Sequence, residues 1–367
     1  MTDNTIGKLG FGCMRLPKKG IAIDIEQTKK MVDLFMEAGF TYFDTAFVYP
    51  GSEEAMKKAL VDRYPRGSYQ IATKLFAAMV PSEKIAKHEF ETSIKRLGAG
   101  YIDYYLLHAL DNKNYKKYDK MHLWDYVKDL KEKGLIKHYG FSYHGDSLLL
   151  EELLTEHPDA EFVQLQINYK DWEDPKIESR KCYETALRHS IPIIVMEPVK
   201  GGKLADPPEA VKKLFKEADP KASFASWAMR FVASLDGIMT VLSGMSNTEQ
   251  MIDNIGIMKD FKPLSDEEYD VIRKARKLMD SDASVPCTAC GYCLEGCPSD
   301  ISIPDIMRAL NKYLETGRIS EGKSVYIKLT EGKRKASDCI HCRKCEKQCP
   351  QHLPITEHLS KACELFE

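Results

Sequence analysis

The sequence predicts an α/β chain in two parts, a closed (β/α)8 TIM barrel followed by a small, mainly α-helical domain organised by cysteine. Three observations predict it. From Lys8 to about Phe261, short apolar runs alternate with helical patterns eight times, which calls for a parallel sheet with crossover helices. No Gly-rich dinucleotide fingerprint follows the first run, which weighs against a doubly wound open sheet, and eight units in about 255 residues match a closed barrel. Nine of the eleven cysteines lie at or beyond Cys287.

The elements follow in order. KLGFGC is the first strand and EQTKKMVDLFMEAG its helix. TYFDTA precedes a helix from Glu53 to Val61, and YQIATK precedes one from Ser82 to Leu97. IDYYLLH leads through a Tyr/Lys-rich loop to a helix from Trp124 to Lys133. IKHYGFS precedes SLLLEELLTE, whose leucines share a helix face. FVQLQIN precedes a helix around Tyr183 to His189. IPIIVME precedes helices at Glu209–Lys216 and Phe224–Ala233. GIMTVLS precedes NTEQMIDNIGIMKDF. Gly39, Gly98 and Gly134 stand where helices should stop. A last helix, Ser265 to Asp280, opens on a capping box of Ser265 and Glu268. SDASVP then reads as a linker. The expected domains are 1–280 and 281–367.

Bulk properties exclude several classes. The apolar fraction is 43% and net charge −2, so nothing recommends nucleic acid or an anionic membrane as partner. MTDNTIGKLG lacks a basic stretch leading into an apolar one, and no apolar run is long enough to span a bilayer. The expectation is a soluble cytoplasmic protein, in a reducing compartment where clustered cysteines are metal ligands more often than disulfides.

Cys287, Cys290, Cys293 and Cys297 precede Pro298; Cys339, Cys342, Cys345 and Cys349 precede Pro350. Both runs read C-x2-C-x2-C-x3-C-P, the bacterial pattern for two [4Fe–4S] clusters. Three closely spaced thiols wrap one cluster and the fourth turns to the other. Cys287, Cys290, Cys293 and Cys349 therefore form one ligand set, and Cys339, Cys342, Cys345 and Cys297 the second. Zinc knuckles are the rival, but zinc usually draws its four ligands from two separated pairs. The segment from Ser299 to Asp338 is longer than a minimal ferredoxin needs and contains a helix at Asp305 to Glu315. The second domain thus reads as a ferredoxin-like iron–sulfur domain. Cys13, Cys182 and Cys363 are not expected to be ligands, and Cys182 reads as a small buried hydrophobe.

In a barrel, reactive side chains sit at the C-terminal strand ends. Asp44 ends the second strand, Lys74 the third and His108 the fourth; Tyr49 follows the second. Carbonyl reduction needs a proton donor, and a tyrosine is a poor one near neutrality unless an ammonium stabilises its phenolate. A carboxylate can hold the ammonium, and an imidazole can orient the substrate. Each residue alone has a duller role, such as a structural ion pair for Asp44 and Lys74. Their convergence on adjacent strands is what argues for chemistry.

On FDTAFVYPGSE, IATK and LLH the chain resembles the aldo-keto reductase family, over about Leu9 to Phe261. LGFGCMRLP, GFS, VQLQINY and VLSGMSNTEQMIDN extend the likeness. The resemblance implies reduction of aldehydes or ketones with NAD(P)H. Tyr49 would be the general acid, with Asp44, Lys74 and His108 as its partners. Ser142 and Gln164 would hold the nicotinamide carboxamide, and Gly12 and Met14 would lie near the ribose. Gly244, Ser246, Gln250 and Asn254 would lie along the rest of the cofactor. Three departures stand out. Tyr143 replaces the Asn often found after that serine, Met196 replaces the aromatic stacked on the nicotinamide, and Gly244 and Gln250 replace basic residues of NADP-type members. NADPH and NADH both stay open. The helix start at Ser246 and Asn247 offers a phosphate its N–H groups.

The whole chain resembles ferredoxin-tailed members of that family. Its leading reading is an oxidoreductase acting on a small carbonyl or alcohol, the pocket bordered by Phe76 and Asn112–Tyr118. A second is an electron-transfer protein whose clusters serve a ferredoxin or flavoprotein partner. A third is a nucleotide-binding docking module without catalysis.

Overall fold

The computed structural model describes residues 7–280 and 284–367. The opening six residues and the first half of the expected linker lie outside them. The chain divides into two compact units. One runs to Val199 and resumes over Lys212–Arg273; the other comprises Lys200–Val211 and Lys274–Glu367. Among the described residues no helix is long and apolar enough to cross a membrane.

The first unit is a closed barrel of eight parallel strands. They are β1 (Leu9–Gly12), β2 (Tyr42–Asp44), β3 (Gln70–Leu75), β4 (Ile102–Leu110), β5 (Ile136–Tyr143), β6 (Val163–Gln166), β7 (Ile193–Met196) and β8 (Ile238–Ser243). Each pairs with its sequence neighbours, and β1 closes on β8 through Leu9↔Val241. All eight coincide with apolar runs in the sequence. Their residues are almost wholly buried because helices cover the outside and side chains fill the inside.

Side-chain caps start the helices. Asp24 accepts from Gln27 N (3.0 Å), Asp146 from Leu149 N (2.9 Å) and Asn247 from Gln250 N (2.9 Å). Ser265 and Glu268 exchange bonds reciprocally, at 2.9 and 3.3 Å. Gly98 ends its helix at φ 65°, where a side chain would be strained. Two local differences from the sequence reading appear. The Tyr/Lys-rich stretch contains a helix, Tyr115–Lys120. The helix opening at Ser52 changes to a π turn over Lys57–Val61.

The second unit is helical. Helices Ile303–Thr316, Ile319–Thr330 and Ile355–Phe366 enclose a core of Ile306, Leu310, Tyr326, Leu359 and Phe366. Gly322 lets two of them approach: a Cβ there would stand 2.7 Å from Tyr313 Cβ and 2.8 Å from the Phe366 ring. Only the first helix was read from sequence.

Candidate functional site

The tetrad residues converge at the C-terminal ends of β2, β3 and β4. Asp44 and Lys74 are buried, and Lys74 Nζ donates to Asp44 Oδ2 and to Thr45 O, both at 2.6 Å. Burial raises the Asp44 carboxyl above its usual range, and the Lys74 charge opposes that rise. Lys74 Nζ lies 5.2 Å from the Tyr49 ring centroid. The His108 ring meets Tyr49 edge-on at 5.9 Å and Phe76 at 5.5 Å. Burial, then the charges of Lys74 and His144, hold the His108 pKa well below the ordinary imidazole value, so the ring is neutral.

The loop carrying Tyr49 is fixed at both ends. Thr45 N donates to Ala72 O (2.9 Å), Tyr49 N to Ala46 O (3.0 Å) and Ser52 N to Tyr49 O (3.0 Å). Ser52 Oγ bonds Thr45 Oγ1 (2.8 Å) and Cys13 O (2.9 Å). Buried Glu53 accepts from Thr73 Oγ1 (2.7 Å) and pairs with Arg96 (3.3 Å). Sequence reasoning did not single out these supports. The DTA and SE flanking Tyr49 were the available signal.

The expected nicotinamide contacts fall into groups. Ser142 and Gln164 are register partners on β5 and β6 and are both buried. Ser142 Oγ accepts from Ala109 N (2.7 Å). Gln164 Oε1 is buried with no hydrogen-bond partner among the described residues, an acceptor suited to a carboxamide N–H. Met196 ends β7, half-buried, and pairs in register with Gln166. Gly12 ends β1 and Met14 follows it in a 3-10 turn; a Cβ at Gly12 would come within 3.3 Å of Ser243 O. Gln250 turns its Oε1 back onto Ser246 N (2.7 Å), and Asn254 Nδ2 donates to Ser243 Oγ (2.7 Å). The helix start offered to a phosphate is thus partly occupied by its own side chains. Arg15, unmentioned by the sequence reading, lies against Gly244: a Cβ there would be 3.4 Å from Arg15 Cδ.

The eight motif cysteines surround two cavities. One is lined by Cys287, Cys290, Cys293 and Cys349. The other is lined by Cys297, Cys339, Cys342 and Cys345. The fourth thiol of each run thus lines the opposite cavity. Both cavities have mainly apolar walls, including Ile303, and Cys293, Cys345 and Cys349 belong to the helical core. Thiol-lined cavities of this kind fit [4Fe–4S] groups.

The two thiol loops are copies offset by 52 residues. Ala289 and His341 both have φ 53°; Asp300 and His352 both have φ 50°. Ala289 N donates to Cys287 Sγ and His341 N to Cys339 Sγ, each at 3.4 Å. The four-residue helices Tyr292–Glu295 and Lys344–Lys347 correspond, as do the starts of Ile303–Thr316 and Ile355–Phe366. Residues Lys200–Lys203 pack beside the first cavity, which Thr288 and Gln351 help to line. Lys200 Nζ donates to Gln351 Oε1 (3.2 Å), Lys203 Nζ to Val285 O (2.6 Å), and a Cβ on Gly201 would meet Thr288 O at 2.7 Å.

These features define a (β/α)8 barrel of reductase type joined to a two-cluster module. The chain belongs to the aldo/keto reductase family, whose pattern matches residues 8–277, and a 4Fe-4S dicluster domain matches residues 286–354. That domain type implies two clusters. Among relatives, an aldo-keto reductase of Strobilurus tenacellus is 28% identical over 60% of this chain and 68% of its own. A methylglyoxal reductase of Yersinia pestis is 27% identical over 59% and 75%. The holo form of an aldo-keto reductase from Bacillus halodurans shares the fold at TM-score 0.59 and 24% identity, covering 74% of this chain and 92% of that one. An aldo-keto reductase from Klebsiella pneumoniae in complex with NADPH gives TM-score 0.59 at 18% identity, over 73% and 90%.

Proposed function

We propose that the chain reduces a small aldehyde or ketone to its alcohol, or runs the reverse oxidation, with NADPH or NADH as second substrate. The observation that carries this reading is the buried Lys74, held by Asp44 and Thr45 O beneath Tyr49 and beside a neutral His108. A bound nicotinamide supplies or accepts the hydride. The Tyr49 hydroxyl delivers the proton to the carbonyl oxygen, and the Lys74 ammonium stabilises the phenolate that remains. Asp44 keeps that ammonium in place. His108 orients the carbonyl through a hydrogen bond without adding a charge that would compete with Lys74. Ser142 and Gln164 hold the carboxamide, and Gly12 leaves room for close approach beside Ser243.

Tyr49→Phe keeps the ring and removes the proton. A screen of small carbonyls with each nicotinamide, run on both proteins, should show kcat lower by ~10² or more with cofactor affinity nearly unchanged. Near-normal turnover by the variant would remove Tyr49 from the reaction. The two four-thiol cavities favour a second reading, in which the chain also passes single electrons to or from a ferredoxin or flavoprotein. A nicotinamide moves two electrons together and each cluster one, so this traffic need not involve the tetrad.

A further inference from the structure

The two thiol loops share a backbone and differ in dress. Between its ligands the first carries one charged residue, the acid Glu295. The second carries Arg343, Lys344 and Lys347 against the single acid Glu346. Exposure differs in the same sense. Thr288, under Gly201, is 2% exposed, whereas its counterpart Ile340 is 65% exposed. Cys290 is half-buried and its counterpart Cys342 exposed. Arg343 has φ 56° where the first loop uses Gly291 at φ 84°. A side chain is disfavoured in that conformation, and glycine is the residue that relieves it. The second loop therefore keeps a cation where its own copy shows that none is needed for the turn. His341, Arg343, Lys344 and Lys347 are all exposed around Cys342.

We propose that this second loop is the docking face for an acidic protein that carries one electron at a time. The proposal rests on the iron–sulfur reading of the thiols. Ile340 and Cys342 form the contact centre, and the ring of cations orients an acidic face toward them. One electron passes between the carrier and the group held by Cys297, Cys339, Cys342 and Cys345. The carrier is oxidised by one electron and that group reduced by one, or the reverse, with no bond made or broken. The first loop, with Gly201 seated on Thr288 and no cations between its ligands, is not the port.

The test compares the full chain with Lys344→Glu/Lys347→Glu, both purified without oxygen. Iron, sulfide and paramagnetic spectra are measured before any carrier is added. Wild-type chain without iron and sulfide would overturn the cluster reading itself. With both proteins loaded, stopped-flow reduction by a reduced acidic ferredoxin should be about tenfold slower in the variant at low salt, and the gap should close near ~0.5 M salt. Oxidation of the reduced chain by cytochrome c, a basic carrier, should change in the opposite sense. Lys58→Glu/Lys95→Glu, an equal reversal on exposed barrel positions, should leave both rates near wild type. Equal ferredoxin rates in all three proteins, or equal slowing in both variants, would overturn the docking face. So would a wild-type dimer that dissociates on reversal with rates unchanged, since the face would then meet a second copy. Should the double reversal fail to load iron, Lys344→Gln and Lys347→Gln carry the same test singly, at about threefold each.

Discussion

The barrel and the thiol unit arrange reactive side chains by different means. In the barrel, Asp44 and Lys74 stand on strands whose ladders fix them, and Lys74 makes two 2.6 Å bonds to protein atoms. Glu53, Thr73 and Ser52 brace the loop behind Tyr49. That site is held by bonds between protein atoms. The thiols instead lie on loops with left-handed Ala289, His341 and Arg343, and the helices between them are four residues long. Three motif cysteines enter the small helical core directly. Such a unit is organised by what its thiols hold, because metal binding there is folding free energy.

The largest expected effect follows from that contrast. Stripping iron from the full chain should expose 284–367 to amide hydrogen exchange while β1 to β8 keep their protection. Retained protection in both units would erase the contrast. Within the thiol unit, Cys297→Ala should deplete the group held with Cys339, Cys342 and Cys345 more than the other, because Cys297 lines that cavity. Paramagnetic spectra of the reduced variant report which set is lost, and loss confined to the first set would break the crossed arrangement.

The barrel has its own vulnerable point. Lys74→Met leaves a buried Asp44 carboxylate without its cation and should lower the barrel's unfolding free energy, measured by denaturant titration, by about 3–5 kcal/mol. Adding Asp44→Asn removes the stranded charge and should recover most of that loss. A double variant as unstable as Lys74→Met would mean that the lysine stem, rather than the ion pair, supports the strand ends.

Much of the barrel was legible because each strand is an apolar run followed by a helical stripe. The placement of Asp44, Lys74 and His108 was legible because DTA, ATK and LLH sit at strand ends. Tyr115–Lys120 read as loop because its four consecutive Tyr and Lys residues show no apolar period; Tyr118 is buried there through its hydroxyl bond to His108 O. The place of Lys200–Val211 was illegible for another reason. Lys200 finds Gln351 across 151 residues, and no local pattern encodes a partner at that separation. Arg15 beside Gly244 is a similar case, since neighbouring strands bring them together. The 52-residue repeat was visible in the ligand spacing, but its unequal burial depends on the segment over Thr288.

The smallest expected effect concerns His108 and separates the barrel's polar site from the rest of its core. Folded, its pKa is held well below 6.5 by burial and by Lys74 and His144. Unfolded, it returns to about 6.5. Below that pH the unfolded chain binds a proton that the folded chain refuses, so stability falls as pH falls. The contribution is fully present above about pH 6.5 and is lost below it, at up to about 1.4 kcal/mol per pH unit. His157, stacked on Trp124 in the same unit, is shifted in the same direction, so the wild-type slope contains both. His108→Gln removes only one of them. Barrel stability measured from pH 7 to 5 should therefore fall less steeply in the variant, with the curves parallel above pH 6.5 and diverging below it. Parallel curves throughout would mean that His108 takes its proton in the folded barrel, and its neutral role beside Lys74 would fail with them.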